Sequence, residues 1–229
     1  MSEPSDIRVL LVDDQDLFRE GVRVIVDAQD GMEVVGAAGD GHEAVRLVDE
    51  LAPDVVLMDI RMPEMDGVEA TRQIFSADRV ARRRAQGAPP VRVVVLTTFN
   101  LDDRAATAIQ HGASGFLLKD VTPVMLRDAI RTVHAGNAVL APDDLSLLLE
   151  GRFRAPAPPP QTYAALTDKE REVFAAVARG LSNTEIAASI FASESTVKTH
   201  VGAILRKLNL RDRVQIVVFA HEHALVARG

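Results

Sequence analysis

The sequence contains no cysteine, which excludes disulfides and thiolate metal sites. It has no apolar run near the roughly 18 residues that a membrane-spanning helix needs. The opening stretch MSEPSDIRVLL puts no basic region before its apolar residues, so no signal peptide is expected. A cytoplasmic protein with no membrane partner fits these absences. Three catalytic signatures are missing as well. There is no G-x-x-x-x-G-K-[ST] loop, which argues against nucleotide hydrolysis. GASGF lacks the G-x-S-x-G spacing of a nucleophile elbow. The HEH at 221–223 is not H-E-x-x-H, and residues two apart do not share a helix face.

What is present is ordinary in bulk and uneven in distribution. The 229 residues fit one or two domains. Hydrophobic residues at 47% allow a core, and charged residues at 26% argue against wholesale disorder. The net charge is −7. From Leu166 onward there are nine Lys or Arg and seven Asp or Glu, leaving 17 basic and 26 acidic residues before it. An acidic front and a mildly basic tail point to two modules with different partners. Between them, RFRAPAPPPQTY holds four of the eleven prolines and reads as an extended, semi-stiff linker.

Before the linker, short β-branched runs alternate with helical patterns. The runs are Ile7–Asp13, Met32–Ala38, Val55–Asp59, Val91–Thr97 and Gly115–Lys119. Helical spacing covers Leu17–Gln29, His42–Leu51 and Val124–His134. Five such repeats imply a parallel sheet covered on both faces. The stretch FSADRVARRRAQGAPP reads as a solvated helix end followed by a loop. After the linker, four short helices are expected. LTDKE and LSNTE each carry a capping box, Thr167 with Glu170 and Ser182 with Glu185. Ser193 can cap a third helix. A fourth begins near Asp212, with Val214, Val217, Val218 and His221 on one face.

Parallel sheets bind ligands beyond the carboxyl ends of their strands. Here those ends are Asp13-Asp14, Asp59, Thr97-Thr98 and Lys119. Each alone has an ordinary explanation as a helix cap or a solvated charge. Three acids, a hydroxyl and an ammonium on one rim make a constellation. Crowded carboxylates repel unless a cation sits among them. Oxygen-only donors suit Mg²⁺ (or Mn²⁺), which takes carboxylates together with phosphate oxygens. Asp59 is then a candidate nucleophile toward phosphorus, with Lys119 and the metal offsetting charge on the transferred group.

These motifs resemble the two-component receiver domain. LLVDDQDLFREGV, VVLMDIRMPEMDGVEATR, VVVLTTF and GASGFLLKD occur in its order, across residues 7–135. The resemblance implies a flavodoxin-like, doubly wound, five-stranded sheet of order 2-1-3-4-5. It implies Asp59 as phosphoacceptor, and a metal held by Asp14, Asp59 and the Arg61 carbonyl, with Asp13 acting mainly through water. Thr97 and Lys119 would contact the phosphoryl group, and Phe116 would be the rotating switch aromatic. Pro63 and Gly67 would make the turn that keeps the site open. The chain departs from many receivers in having Asp120, not proline, after Lys119.

In the tail, STVKTHVGAILRKL puts Val197, Val201, Ile204, Leu205 and Leu208 on an apolar stripe, with Ser195, Lys198, Thr199, Gly202 and Arg206 on another face. A recognition helix has this layout, and so does an ordinary amphipathic helix of a small bundle. Residues 166–226 resemble the C-terminal helix-turn-helix domain of the LuxR/NarL type, through LTDKEREVFAAVARGLSNTEIA and STVKTHVGAILRKLNLRDRVQ. That resemblance makes Lys198 and Thr199 base-edge readers and puts Thr196, His200 and Lys207 nearer the phosphates. It also makes the last helix, Val214 to His223, a dimer face. Gly202 offers no side chain to a base.

The expectation is a NarL/FixJ-type response regulator: receiver over 1–137, linker with a short helix and then prolines over 138–164, all-α four-helix DNA-binding domain over 165–229. Its partners would be a sensor histidine kinase, double-stranded DNA and, once phosphorylated, a second copy. No turnover enzyme is expected. A haloacid-dehalogenase-type phosphatase needs a second acid two residues after its nucleophile, and that position is Arg61. A constitutive DNA-binding protein with a vestigial receiver is the other alternative.

Overall fold

Val55–Asp59 forms a strand buried at every residue, as a central strand covered on both faces must be. The computed structural model describes residues 6–98, 103–137, Val139, Leu149 and 158–225. The chain divides into two compact units, Met1–Ala135 and Gly136–Gly229. The linker expected over 138–164 lies largely outside the described residues, as does Phe99 of the third receiver-like motif.

In the first unit the strands are β1 (Ile7–Val12), β2 (Met32–Ala38), β3 (Val55–Asp59), β4 (Arg92–Thr97) and β5 (Gly115–Leu118). All pair in parallel, in the order β2-β1-β3-β4-β5. The helices are α1 (Asp16–Asp27), α2 (Gly41–Leu51), α3 (Gly67–Ile74), α4 (Ala77–Ala85), α5 (Asp103–Gln110) and α6 (Pro123–His134). Right-handed crossovers in this strand order put α1 and α6 on one face and α2, α3 and α5 on the other. Accordingly α2 packs on α3 and α3 on α5. Strand direction reverses its march between β1 and β3, so the rim beyond those two strands is the place for a ligand.

Helix α4 corrects one expectation. The stretch read as a solvated helix end and loop is a separate helix, and Arg83 within it is buried. Alanine and arginine favour helix, and its last turn carries Arg82, Arg83 and Arg84 where cations suit the helix dipole. The deciding contact is tertiary. Arg79, Arg82 and Arg83 all bond to the Asp49 carboxylate of α2, and Arg83 also donates to the Ile74 carbonyl.

The second unit contains α7 (Gln161–Ala164), α8 (Asp168–Ala178), α9 (Asn183–Ser189), α10 (Glu194–Leu208) and α11 (Arg213–Glu222). Both expected capping boxes form, at Thr167/Glu170 and Ser182/Glu185. Ser193 caps α10 and Asp212 caps α11, each accepting from a backbone amide at 3.1 Å. The core joins Phe174, Ile186, Val197, Ile204 and Val214, all fully buried, and the Phe174 ring meets Tyr163 edge-on at 5.2 Å. Helix α11 does not carry the single apolar face expected of it. Ile216, Phe219 and Ala220 are buried along with Val214, Val217 and Val218.

The turn from α9 to α10 has an uncommon residue at its tightest point. Phe191 adopts φ 54° and is 99% exposed, while the Ala192 amide closes the helix end on the Ala187 carbonyl at 2.9 Å. Glycine or asparagine normally fills that left-handed position. A β-carbon there costs about 1 kcal/mol, and an exposed ring returns nothing. Phe191→Gly is expected to raise stability by about 0.5–1 kcal/mol, read as a higher urea midpoint of the full chain.

Candidate functional site

The parallel sheet aims four strand ends at one rim. Val12 pairs with Met58, so Asp13 and Asp59 come out side by side. Asp59 pairs with Leu96 and Thr97 with Leu118, which sets Thr97 and Lys119 on the next two strands at the same level. Asp13, Asp59 and Thr97 are buried, and Asp14 is exposed. Carboxylate oxygens of Asp13, Asp14 and Asp59 lie within 4.8 Å of one another. The Lys119 ammonium bridges two of them, 2.6 Å from Asp13 Oδ2 and 2.8 Å from Asp59 Oδ2. The Phe18 ring covers that ammonium, with its centroid 4.9 Å from Nζ. Phe116 stands half-exposed on β5, paired with Val95.

The chain breaks after Asp59 in a way that keeps the carboxylate reachable. The Arg61 amide donates to Asp59 Oδ1 at 3.3 Å. Pro63 accepts from Met65 at 2.7 Å in a tight turn, and Asp66 caps α3 through the Glu69 amide. Gly67 then returns to the strand, its amide 3.0 Å from the Ile60 carbonyl. A β-carbon on Gly67 would sit 2.0 Å from the Asp59 carbonyl oxygen, so only glycine fits.

Three carboxylates against one ammonium leave an excess of two negative charges. Burial pushes the Asp59 carboxyl up from its ordinary value, more than the bond from Lys119 pulls it down. Burial lowers Lys119, but its bonds to Asp13 and Asp59 together outweigh that and hold it above its ordinary value. A hard dication among oxygen-only donors would relieve the charge excess, so the residues present fit Mg²⁺.

In the second unit, α10 lays its exposed face along Ser195, Lys198, Thr199, Gly202 and Arg206. Thr196 is also exposed, and His200 is half-buried. Helix α9 braces the start of α10 through Thr184 Oγ1, which donates to Glu194 at 2.7 Å. Capped start, scaffold helix behind and donors at the front are the layout of a recognition helix.

Residues 9–131 match the response regulator receiver domain, and residues 164–220 match the luxR family of bacterial regulatory proteins. The chain is a response regulator. It is 43% identical to the uncharacterized transcriptional regulatory protein YxjL of Bacillus subtilis, over 96% of this chain and 97% of that one. It is 40% identical to the transcriptional regulatory protein LiaR of the same organism, over 96% and 99%. Among solved structures, a LuxR-family two-component response regulator from Aurantimonas sp. SI85-9A1 is 36% identical, covering 65% of this chain and 99% of that one, with a TM-score of 0.53.

In this response regulator every receiver residue expected at the rim lies on it, with Phe116 beside it on β5. Sequence reading missed Phe18. Its signal was an aromatic one helical turn after Asp14 in DDQDLF. Lys207, expected near phosphates, also has an internal partner. That ammonium turns back onto α8, 2.6 Å from Glu170 Oε2 and 3.1 Å from the Ala165 carbonyl. Bonds from Lys207 and from the Thr167 amide hold the Glu170 carboxyl down at about 2. The carboxylate is buried, so its pairing carries weight.

Lys207→Met should accordingly cost about 1–2 kcal/mol of stability, because it removes the cation paired with Glu170 and leaves that carboxylate to the Thr167 amide. The pH dependence has a definite sign. Glu170 is depressed in the folded state, so its contribution is full above the unfolded value near 4.3 and is lost as pH falls toward about 2. Urea midpoints measured from pH 6 to pH 2.5 should fall less steeply in Lys207→Met than in wild type.

Proposed function

We propose that this response regulator accepts a phosphoryl group on Asp59 from a sensor histidine kinase and then binds DNA more tightly. The observation carrying this is the buried Asp59 carboxylate at a strand end, bridged by Lys119 to Asp13. A carboxylate oxygen of Asp59 attacks phosphorus, the bond from phosphorus to the donor breaks, and the donor leaves with its electron pair. Lys119 and the Thr97 hydroxyl then meet the new phosphoryl oxygens. Asp13, Asp14, Asp59 and the Arg61 carbonyl would hold the Mg²⁺, which supplies charge neutralisation when bound. Asp13 and Asp59 share one ammonium, so a phosphoryl group on Asp59 forces Lys119 to divide its bonds anew. That local change, with Thr97 drawn in and Phe116 turned inward, biases a two-state receiver surface. The chemistry is one self-modification per cycle, without the turnover of an enzyme.

In the same proposal, Lys198 and Thr199 read base edges and Thr196 and His200 approach phosphates, while Lys207 acts as an internal strut. Two chains bind one roughly two-fold site as a cytoplasmic homodimer. The last helix, Val214 to His223, is the proposed dimer face. The proposed division is receiver 1–137, linker 138–164 and DNA-binding domain 165–229. Beryllofluoride, a phosphoryl mimic, should tighten binding to an operator fragment roughly tenfold or more at fixed salt. Equal affinity with and without it would favour a vestigial receiver.

A further inference from the structure

Helix α4 stands opposite α2, and the two border an open groove of about 580 Å³. Arg46 lines one wall, and Arg79 and Arg82 line the other. His42, Val45, Gln73 and Gln86 complete the lining, together with the Asp49 and Glu50 carboxylates that pair with these arginines.

Charge is unbalanced along this groove. On the α4 side, Arg79, Arg82 and Arg83 share the single carboxylate of Asp49. Three guanidiniums carry more N–H donors than two oxygens can accept, and with Glu43 and Glu50 beside Arg46 the four arginines outnumber their three carboxylates by one charge. Arg46, on the facing wall, bonds to Glu50 at 2.6 Å and to Glu43 at 3.4 Å, and its side chain is half-exposed. Arginines on both walls therefore border one open space, in a module whose overall charge is negative. Planar guanidiniums match the oxygens of phosphate in forked pairs.

We propose that the α2–α4 groove binds a small phosphorylated molecule, with its phosphate group between Arg46 and the Arg79/Arg82 pair. The site is separate from the acidic rim and does not depend on phosphorylation of Asp59. Its ligand is an anion, whereas the rim collects a cation.

Isothermal titration calorimetry of the full chain tests this, without divalent metal and at physiological salt. Pyrophosphate is the probe in one arm and ADP in the other. Saturable binding is expected in at least one arm. Arg46→Gln, which leaves the Asp49 anchor of α4 intact, should weaken it roughly tenfold. Arg79→Gln with Arg82→Gln should weaken it further. Glu50→Gln should tighten it a few-fold by freeing Arg46. Tighter binding of ADP than of pyrophosphate would identify a nucleotide-like ligand, and equal binding a site for the phosphate group alone. Absence of saturable binding at millimolar probe would overturn the proposal. So would binding that Arg46→Gln leaves unchanged, since the probe would then sit elsewhere.

Discussion

Gly67→Ala should destabilise the receiver by about 3 kcal/mol or more, the upper end of what overpacking costs. The added carbon would lie 2.0 Å from the Asp59 carbonyl oxygen, 2.9 Å from its carbonyl carbon and 2.9 Å from Met58 Cγ. Two of those neighbours are backbone and cannot swing aside. Neither partner is free to retreat. Asp59 is locked into the ladder opposite Leu96, and Gly67 is tied to Ile60 at the start of a helix that Asp66 caps. Relief requires the 60–67 turn to lift away, which would carry the phosphorylation loop off the rim. The variant should therefore lose phosphorylation rate as well as urea resistance. Gly21→Ala is the matched control. It lies inside α1 with open space around its β-carbon, and should be neutral or stabilising by up to about 1 kcal/mol. Comparable losses in both variants would mean that close approach at Gly67 is not what the turn depends on.

Much of this molecule was legible before any coordinates. Strands β3 and β4 are apolar almost throughout, and only a strand buried on both faces can be. Once the sheet is parallel, its carboxyl ends share a rim, so Asp13, Asp14, Asp59, Thr97 and Lys119 converge by topology. Capping boxes are local, and both were readable because their partners stand three residues apart. The failures have a common cause in partners distant along the chain. Helix α4 is held by Asp49, about 30 residues upstream, and no periodicity reveals that. The pairing of Lys207 with Glu170, 37 residues earlier, is hidden for the same reason. In α11 the apolar residues go all the way round, so a single face could be drawn through Val214, Val217 and Val218 although none exists.

Asp59→Asn should abolish phosphorylation altogether, the largest effect expected of any single substitution here. Asparagine keeps the shape of the side chain and removes the nucleophilic oxygen pair, while the ion pair of Lys119 with Asp13 remains in place. Folding should be preserved, so loss of labelling reads chemistry and not collapse. The measurement is intact mass after incubation with a small acyl-phosphate donor and Mg²⁺, for wild type and Asp59→Asn in parallel. The prediction is one phosphoryl group on each wild-type chain, released by hydroxylamine as an acyl phosphate must be, and none on the variant. A phosphoryl group that persists on Asp59→Asn, or that resists hydroxylamine on the wild type, would contradict the assignment of Asp59 and the mechanism built on it.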